Sequence, residues 1–222
     1  MKESETWDKH WTSASKGSLF ERLASIVRMR ILSRAVRNYS DQYFPSRGVF
    51  VECGCGTGQS SSRVPRSGRH LVALDFSLPA LEAARAIPTY TDHLQSDIRR
   101  LPFANDSISG IWNLGVMEHF DSSQAAEILA EFRRVLRPGH TAILFWPPNF
   151  GSSRWILAPI EHFLTWKRGR PFRFFPDEVN RLRSRGHAIA LIRAADFEPI
   201  AVDFTFRDCF IHLVVVCRKP IV

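Results

Sequence analysis

Apolar residues along this chain recur at two periods, and the places where one period gives way to the other divide it into elements. Between Ser18 and Asn38, the residues Leu19, Leu23, Ile26, Val27, Ile31 and Val36 approximate one helical face, with arginines between them. Pro45 and Gly48 interrupt that pattern, and "GVFVECG" then reads as a short buried strand. "RHLVALDFS" is a second strand, followed by "LPALEAARAI", a helix with Pro79 near its start, where the missing N–H is tolerated. A third strand lies in "YTDHLQSDI" and a fourth in "ISGIWNLGV". "SSQAAEILAEFRRVLRPG" is an amphipathic helix stopped by Pro-Gly, and "HTAILFWPP" is a fifth strand. Such alternation predicts a doubly wound α/β fold, its mostly parallel sheet covered on both faces.

After Pro148 the rhythm breaks. "NFGSSRWILAPIEHFLTWKRGRPFRFFP" is aromatic, basic and irregular, about the length of an insertion. "DEVNRLRSRGHAIALIRAADFEPIAVDFTF" predicts a helix, a second helix and a strand, and "CFIHLVVVCRKP" predicts a strongly apolar last strand. The expected organisation is an N-terminal helical cap over 1–44, an α/β core over 45–148, an insertion over 149–176, and the rest of the core over 177–222.

Composition then bounds the class. A chain of 222 residues, 45% of them hydrophobic, suits one domain with a sizeable core. Its net charge is +8, and 25 of its 30 basic residues are arginine, which favours an anionic partner: nucleic acid, an acidic membrane surface or an acidic substrate. The start, "MKESETWDKHW", has no apolar leader, and the longest apolar stretch is cut by Pro147 and Pro148. The expectation is a soluble, reduced, cytoplasmic protein, with peripheral contact to an anionic membrane left open.

The candidate chemistry centres on "VFVECGCGTGQSS", Val49 to Ser61. Cys53 and Cys55 lack the spacer of a zinc pair and have no partner pair at matching distance, so no metal is expected. A phosphate cradle would want glycines in the order G-x-G-x-x-G or a following lysine. The chain offers Gly54, Gly56 and Gly58 at alternate positions, with Glu52 just before them, a carboxylate that would repel phosphate. A cationic ligand remains.

In that form, acid-x-Gly-x-Gly-x-Gly, the stretch resembles the first motif of class I S-adenosylmethionine-dependent methyltransferases. Asp75 follows in "VALDFS", Asp97 in "HLQSDIRRLPF", then "IWNLGVMEHF" and "FRRVLRPGHTAILFWPPN", all similar to successive motifs of that family. The resemblance is close over about 48–148 and holds in outline over 177–219. It implies a Rossmann-like seven-stranded sheet with an antiparallel last strand. It also implies that S-adenosylmethionine binds and leaves as S-adenosylhomocysteine. Glu52 would face the cationic end, Gly54, Gly56 and Gly58 would let the loop approach, and Asp75 would accept both ribose hydroxyls. Phe76 would lie against the ring, Asp97 and Ile98 would read the adenine, and Asn113 and Leu114 would close the site from the fourth strand.

The acceptor side is read less sharply. His119 stands where an acceptor's proton could be collected, or Glu118 and His119 organise the loop. Trp7 and Trp11 would flank the methionine end by cation–π attraction, or staple a first helix to the sheet. In the insertion, Trp155 and Phe163 are candidate acceptor contacts, apolar surface beside Lys167, Arg168, Arg170 and Arg173. A lipid, quinone or sugar-type acceptor methylated at oxygen fits this, as does a flap with solvated arginines at its edge. The alternatives are an RNA methyltransferase, which the missing recognition loop weighs against, and a cofactor-binding protein without turnover.

Overall fold

The segments "GVFVEC", "RHLVALD", "GIWNL", "TAILFW" and "LVVVCR" become the interior because a strand sandwiched between helices must be apolar on both faces. The structure is a computed structural model that describes residues 2–14 and 19–221. Its strands are β1 (Gly48–Cys53), β2 (Arg69–Asp75), β3 (Asp92–Gln95), β4 (Gly110–Leu114), β5 (Thr141–Trp146), β6 (Glu198–Asp203) and β7 (Leu213–Arg218). They form one seven-stranded sheet in the order β3-β2-β1-β4-β5-β7-β6. Pairs among β1 to β5 are parallel, and β7 runs antiparallel to both β5 and β6. This is the expected Rossmann-like sheet with an antiparallel last strand.

The helices are α1 (Lys2–Ala14), α2 (Leu19–Val27), α3 (Ser33–Tyr43), α4 (Leu78–Ala84), α5 (Ser122–Val135), α6 (Ser152–Arg168) and α7 (Arg185–Ala194). Alternate strand residues feed two cores. Phe50, Leu71, Trp112 and Phe145 pack with Val36 and Tyr39 of α3 and Leu81 of α4. Val51, Leu74, Ile111, Leu144 and Val215 pack with Ile128 and Phe132 of α5 and Ile192 of α7. An Asp121 capping box starts α5, its side chain accepting from Ser123 N and Gln124 N. The helical pattern expected from Ser18 to Asn38 is carried by α2, a π-helical stretch at Arg28–Leu32, and α3; Ser18 itself lies outside the described residues.

Four expectations need correction. Strand–helix alternation fails between β1 and β2, where Pro65 and Gly68 leave only a 3-10 turn at Gln59–Ser61 and α3 packs against that turn. The insertion is largely regular: α6 runs through Pro159, whose lost backbone bond the surrounding turns tolerate. No helix forms over 177–183, because its backbone donors go elsewhere: Val179 N and Asn180 N to Glu118 O, and Leu182 N to Pro147 O. Only the second expected helix, α7, exists there, capped by Ser184. The last strand also starts later than "CFIH", since Cys209 and Phe210 take left-handed conformations that end a 3-10 turn.

Candidate functional site

The turn after β1 folds back on β2: Gly54 N and Cys55 N both donate to Leu74 O, at 2.8 and 3.0 Å. Gly54 and Gly56 have φ of +77° and +52°, a region that side chains disfavour. A Cβ on Gly56 would sit 2.8 Å from the Trp11 ring, so the bare backbone is what lets α1 close on the loop. Asp75, ending β2, is buried. Its Oδ2 accepts from Gly56 N at 2.8 Å and its Oδ1 from Ser77 N at 2.9 Å. Burial raises its pKa, and these backbone donors pull it back. Each carboxylate oxygen retains acceptor capacity, enough for a pair of ligand hydroxyls.

Glu52 lies in the core. It is buried on the α3 and α4 side of β1, where Oε2 accepts from the Tyr90 hydroxyl. Ser61, bonded in turn by Trp112 Nε1 at 2.9 Å, lies beside it. Burial pushes the Glu52 carboxyl up to about 8, against the pull of the Tyr90, Ser61 and Trp112 groups. β1's alternation turns the Glu52 carboxyl, expected at the cationic end of the ligand, into the core beside Tyr90. It braces the glycine turn from below.

Asp97 follows β3 at the same edge, yet its carboxylate is held by Arg99, with Nε 3.1 Å from both oxygens and a terminal nitrogen 2.7 Å from Oδ2. Burial raises its pKa, but the Arg99 bonds more than offset this and leave it lowered. The Ile98 side chain is buried in the α5-side core, so only its backbone is available to a ligand. Phe76 is partly buried, and its carbonyl accepts from Gln95 Nε2. Asn113 is fully buried at the end of β4 with both amide atoms unpartnered, and Gln59 Oε1, just past the glycines, is unpartnered too. Leu114 beside it is partly buried. Orphaned polar atoms at the end of β4 and in the turn after β1, together with the Asp75 carboxylate, fit a polar ligand laid across the turn.

The roof is α1. Asp8 accepts from the Ser77 hydroxyl at 2.6 Å, and Trp7 and Trp11 stack with centroids 6.2 Å apart. Trp7 meets the His119 ring edge-on at 4.8 Å. His10 lies edge-on to both tryptophans, and burial, then Arg28, lower its pKa to about 4. His119 Nδ1 is 3.0 Å from Asp177 O; a carbonyl only accepts, so Nδ1 carries the proton and Nε2 is left with a lone pair. Burial lowers the His119 pKa, so the ring is neutral at pH 7. Glu118 is buried with Oε2 unpartnered, and burial pushes its carboxyl up to about 8.

Trp155 and Phe163 do not join this cluster: both are exposed on α6, pointing away from the protein. They were singled out for aromaticity within an insertion, and which side of a helix faces inward is a tertiary matter. Tyr90, Arg99, Asp8, Ser77 and His10 were missed. Arg99 lies two residues from Asp97 and was within reach of local reasoning; Tyr90 and Ser77 meet partners 38 and 69 residues away and carried no signal.

Residues 50–139 match the family described as a methyltransferase domain. A malonyl-[acyl-carrier protein] O-methyltransferase from Erwinia pyrifoliae is 37% identical over 108 residues, 49% of this chain and 40% of that protein. A demethylmenaquinone methyltransferase from Renibacterium salmoninarum is 32% identical over 48% of this chain and 45% of its own. The chain thus covers less than half the length of these relatives. The Burkholderia thailandensis 1,6-didemethyltoxoflavin-N1-methyltransferase, solved with 1,6-didemethyltoxoflavin and S-adenosylhomocysteine bound, superposes with a TM-score of 0.59. That match covers 87% of this chain and 78% of that one at 17% identity, a likeness of fold. Residues 50–139 are thus similar to a methyltransferase domain, and the sheet shares its fold with that solved methyltransferase.

Proposed function

We propose that this chain transfers a methyl group from S-adenosylmethionine to a small or amphipathic acceptor, at oxygen. When bound, S-adenosylmethionine supplies an electrophilic methyl carbon on a sulfonium leaving group. The observation that carries the reading is Asp75: a buried carboxylate fixed by Gly56 N and Ser77 N, with lone pairs open beside a left-handed glycine turn. Asp75 would take the ribose hydroxyls, and the backbone beyond Asp97 would edge the base. Asn113 would use its orphaned amide on the amino-acid end. Trp7 and Trp11 would exclude water, which matters because alignment of nucleophile and methyl supplies most of the advantage in such a displacement.

An oxygen acceptor loses its proton as the new C–O bond forms. Neutral His119, with Nε2 unprotonated, has the protonation state to receive it, and it sits against Trp7 of α1. Relatives named for a malonyl-[acyl-carrier protein] and for demethylmenaquinone support an acceptor other than nucleic acid.

Calorimetry with S-adenosylhomocysteine tests the cofactor half. The intact chain should bind, and Asp75→Asn should weaken binding about tenfold or more, since an amide cannot accept both hydroxyls and two backbone N–H groups. No heat with either the methylated or the demethylated compound would end the reading. His119→Ala should keep cofactor binding and lose most turnover on a hydroxyl acceptor; full turnover would remove His119 from the mechanism.

A further inference from the structure

Helix α6 is unusual for what it shows to solvent. None of its seventeen residues is buried. Leu157, Glu161 and Leu164 turn toward the protein, and Glu161 accepts from Phe174 N at 2.9 Å. The opposite side carries Trp155, Pro159, Phe163 and Trp166 at helical spacing, with Ile156 and Ile160 alongside. Trp155, Phe163 and Trp166 are 76%, 55% and 75% exposed. Scattered exposed apolar residues need no explanation, but a continuous aromatic stripe on the outer face of one helix does.

The charge around that stripe has one sign. From 150 to 175 the chain holds Arg154, Lys167, Arg168, Arg170 and Arg173 against the single acid Glu161, which is turned inward. Arg168 stacks on Phe172 at 4.2 Å, and Arg173 lies 3.2 Å from Asp177. The apolar surface also continues beyond α6. Ser152 at its start donates its N–H to Phe210 O and its hydroxyl to Cys209 O. Phe206 and Phe210 of that turn are exposed. The same turn packs against the π-helical stretch at Arg28–Leu32, beside which Ile26 and Met29 are exposed among Arg22, Arg28 and Arg30.

We infer that the outer face of α6 docks on an anionic lipid bilayer, with its aromatic stripe in the interface and its arginines and lysine on the headgroups. A helix of this kind, apolar along one side with a cationic flank, partitions into the plane of a bilayer surface by apolar burial plus attraction to anionic lipid. No helix among the described residues is long and apolar enough to cross a membrane, so the contact is one of surface. A second copy of the chain is a poor occupant: it would bring the same cationic rim, on a molecule of net charge +8, against this one. The docking stands independently of methyl transfer.

The test is co-sedimentation of the full chain with vesicles of phosphatidylcholine, with and without phosphatidylglycerol, together with tryptophan emission. Binding and a blue shift should occur on the phosphatidylglycerol vesicles, weaken with added salt, and be slight on phosphatidylcholine alone. Ile160→Ser with Trp166→Ser, and separately Lys167→Glu with Arg170→Glu, should each cut partitioning about tenfold or more. Both pairs are exposed, so an unchanged melting temperature checks folding. The proposal fails if the anionic vesicles leave the protein in solution, if neutral vesicles bind it equally, or if charge reversal changes nothing. It fails too if light scattering finds a dimer that the Ile160 and Trp166 changes dissociate. S-adenosylhomocysteine calorimetry on the same variants reads the methyl-transfer proposal separately.

Discussion

Glu52 shows how much one side chain's surroundings decide. A carboxylate before three glycines suggests a ligand contact, yet here it is the acceptor for Tyr90 in the core. Its folded pKa, about 8, lies above the ordinary 4.5. Between those values the folded state keeps a proton that the unfolded chain has released, so stability falls as pH rises through that window and levels off above about 8. Glu118, also raised to about 8, adds to the same slope. Glu52→Gln keeps an acceptor for Tyr90 and removes one of the two titrations. Urea unfolding at mildly acidic and mildly alkaline pH should show a flatter profile for the variant, and a gain of about 1 kcal/mol or more on the alkaline side. An unchanged slope would mean that Glu52 is ionised in the folded protein.

At the scale of elements, α1 is seated by side chains rather than by the backbone ladder: Asp8 on Ser77, Trp11 over Gly56, Trp7 on His119. His10 and His119 are both held neutral there, and His10 is lowered to about 4 from 6.5. For a lowered base the stabilising contribution is complete above the unfolded value and is lost as pH falls through 6.5 toward 4. Acidification within that range should therefore loosen α1 while the sheet stays folded. Protease cleavage near Lys9 should speed up several-fold at about pH 5, ahead of any change in far-ultraviolet circular dichroism. His10→Phe should blunt that acid sensitivity. If cleavage is flat with pH, the histidines do not govern the seat.

The whole molecule is stabilised unevenly. β1, β4, β5 and β7 lie between two cores, whereas α6 buries none of its residues. Hydrogen exchange should follow this: slowest at Val51, Ile111, Leu144 and Val215, and fastest over 152–168, by about two orders of magnitude or more. Uniform protection across α6 and the strands would show that α6 is covered in solution.

Strand runs, the glycine turn and the amphipathic α5 were legible in the sequence because each has a local cause. Full burial demands an unbroken apolar run, a left-handed turn demands glycine, and a half-buried helix repeats its apolar residues every three or four positions until Pro-Gly stops it. Asp75 was placed correctly at a strand end for the same reason. What periodicity cannot carry is direction. An apolar stripe on 152–168 reads the same whether it meets the sheet or the solvent, and only its packing turned Trp155 and Phe163 outward. Alternation along β1 puts Glu52 on one side, but which side holds Tyr90 depends on a residue 38 positions away. The lost helix at 177–183 follows the same logic, since backbone donors taken by Glu118 and Pro147 overrule local propensity. Contacts distant in sequence decided these features, and their energies appear only once the chain has closed.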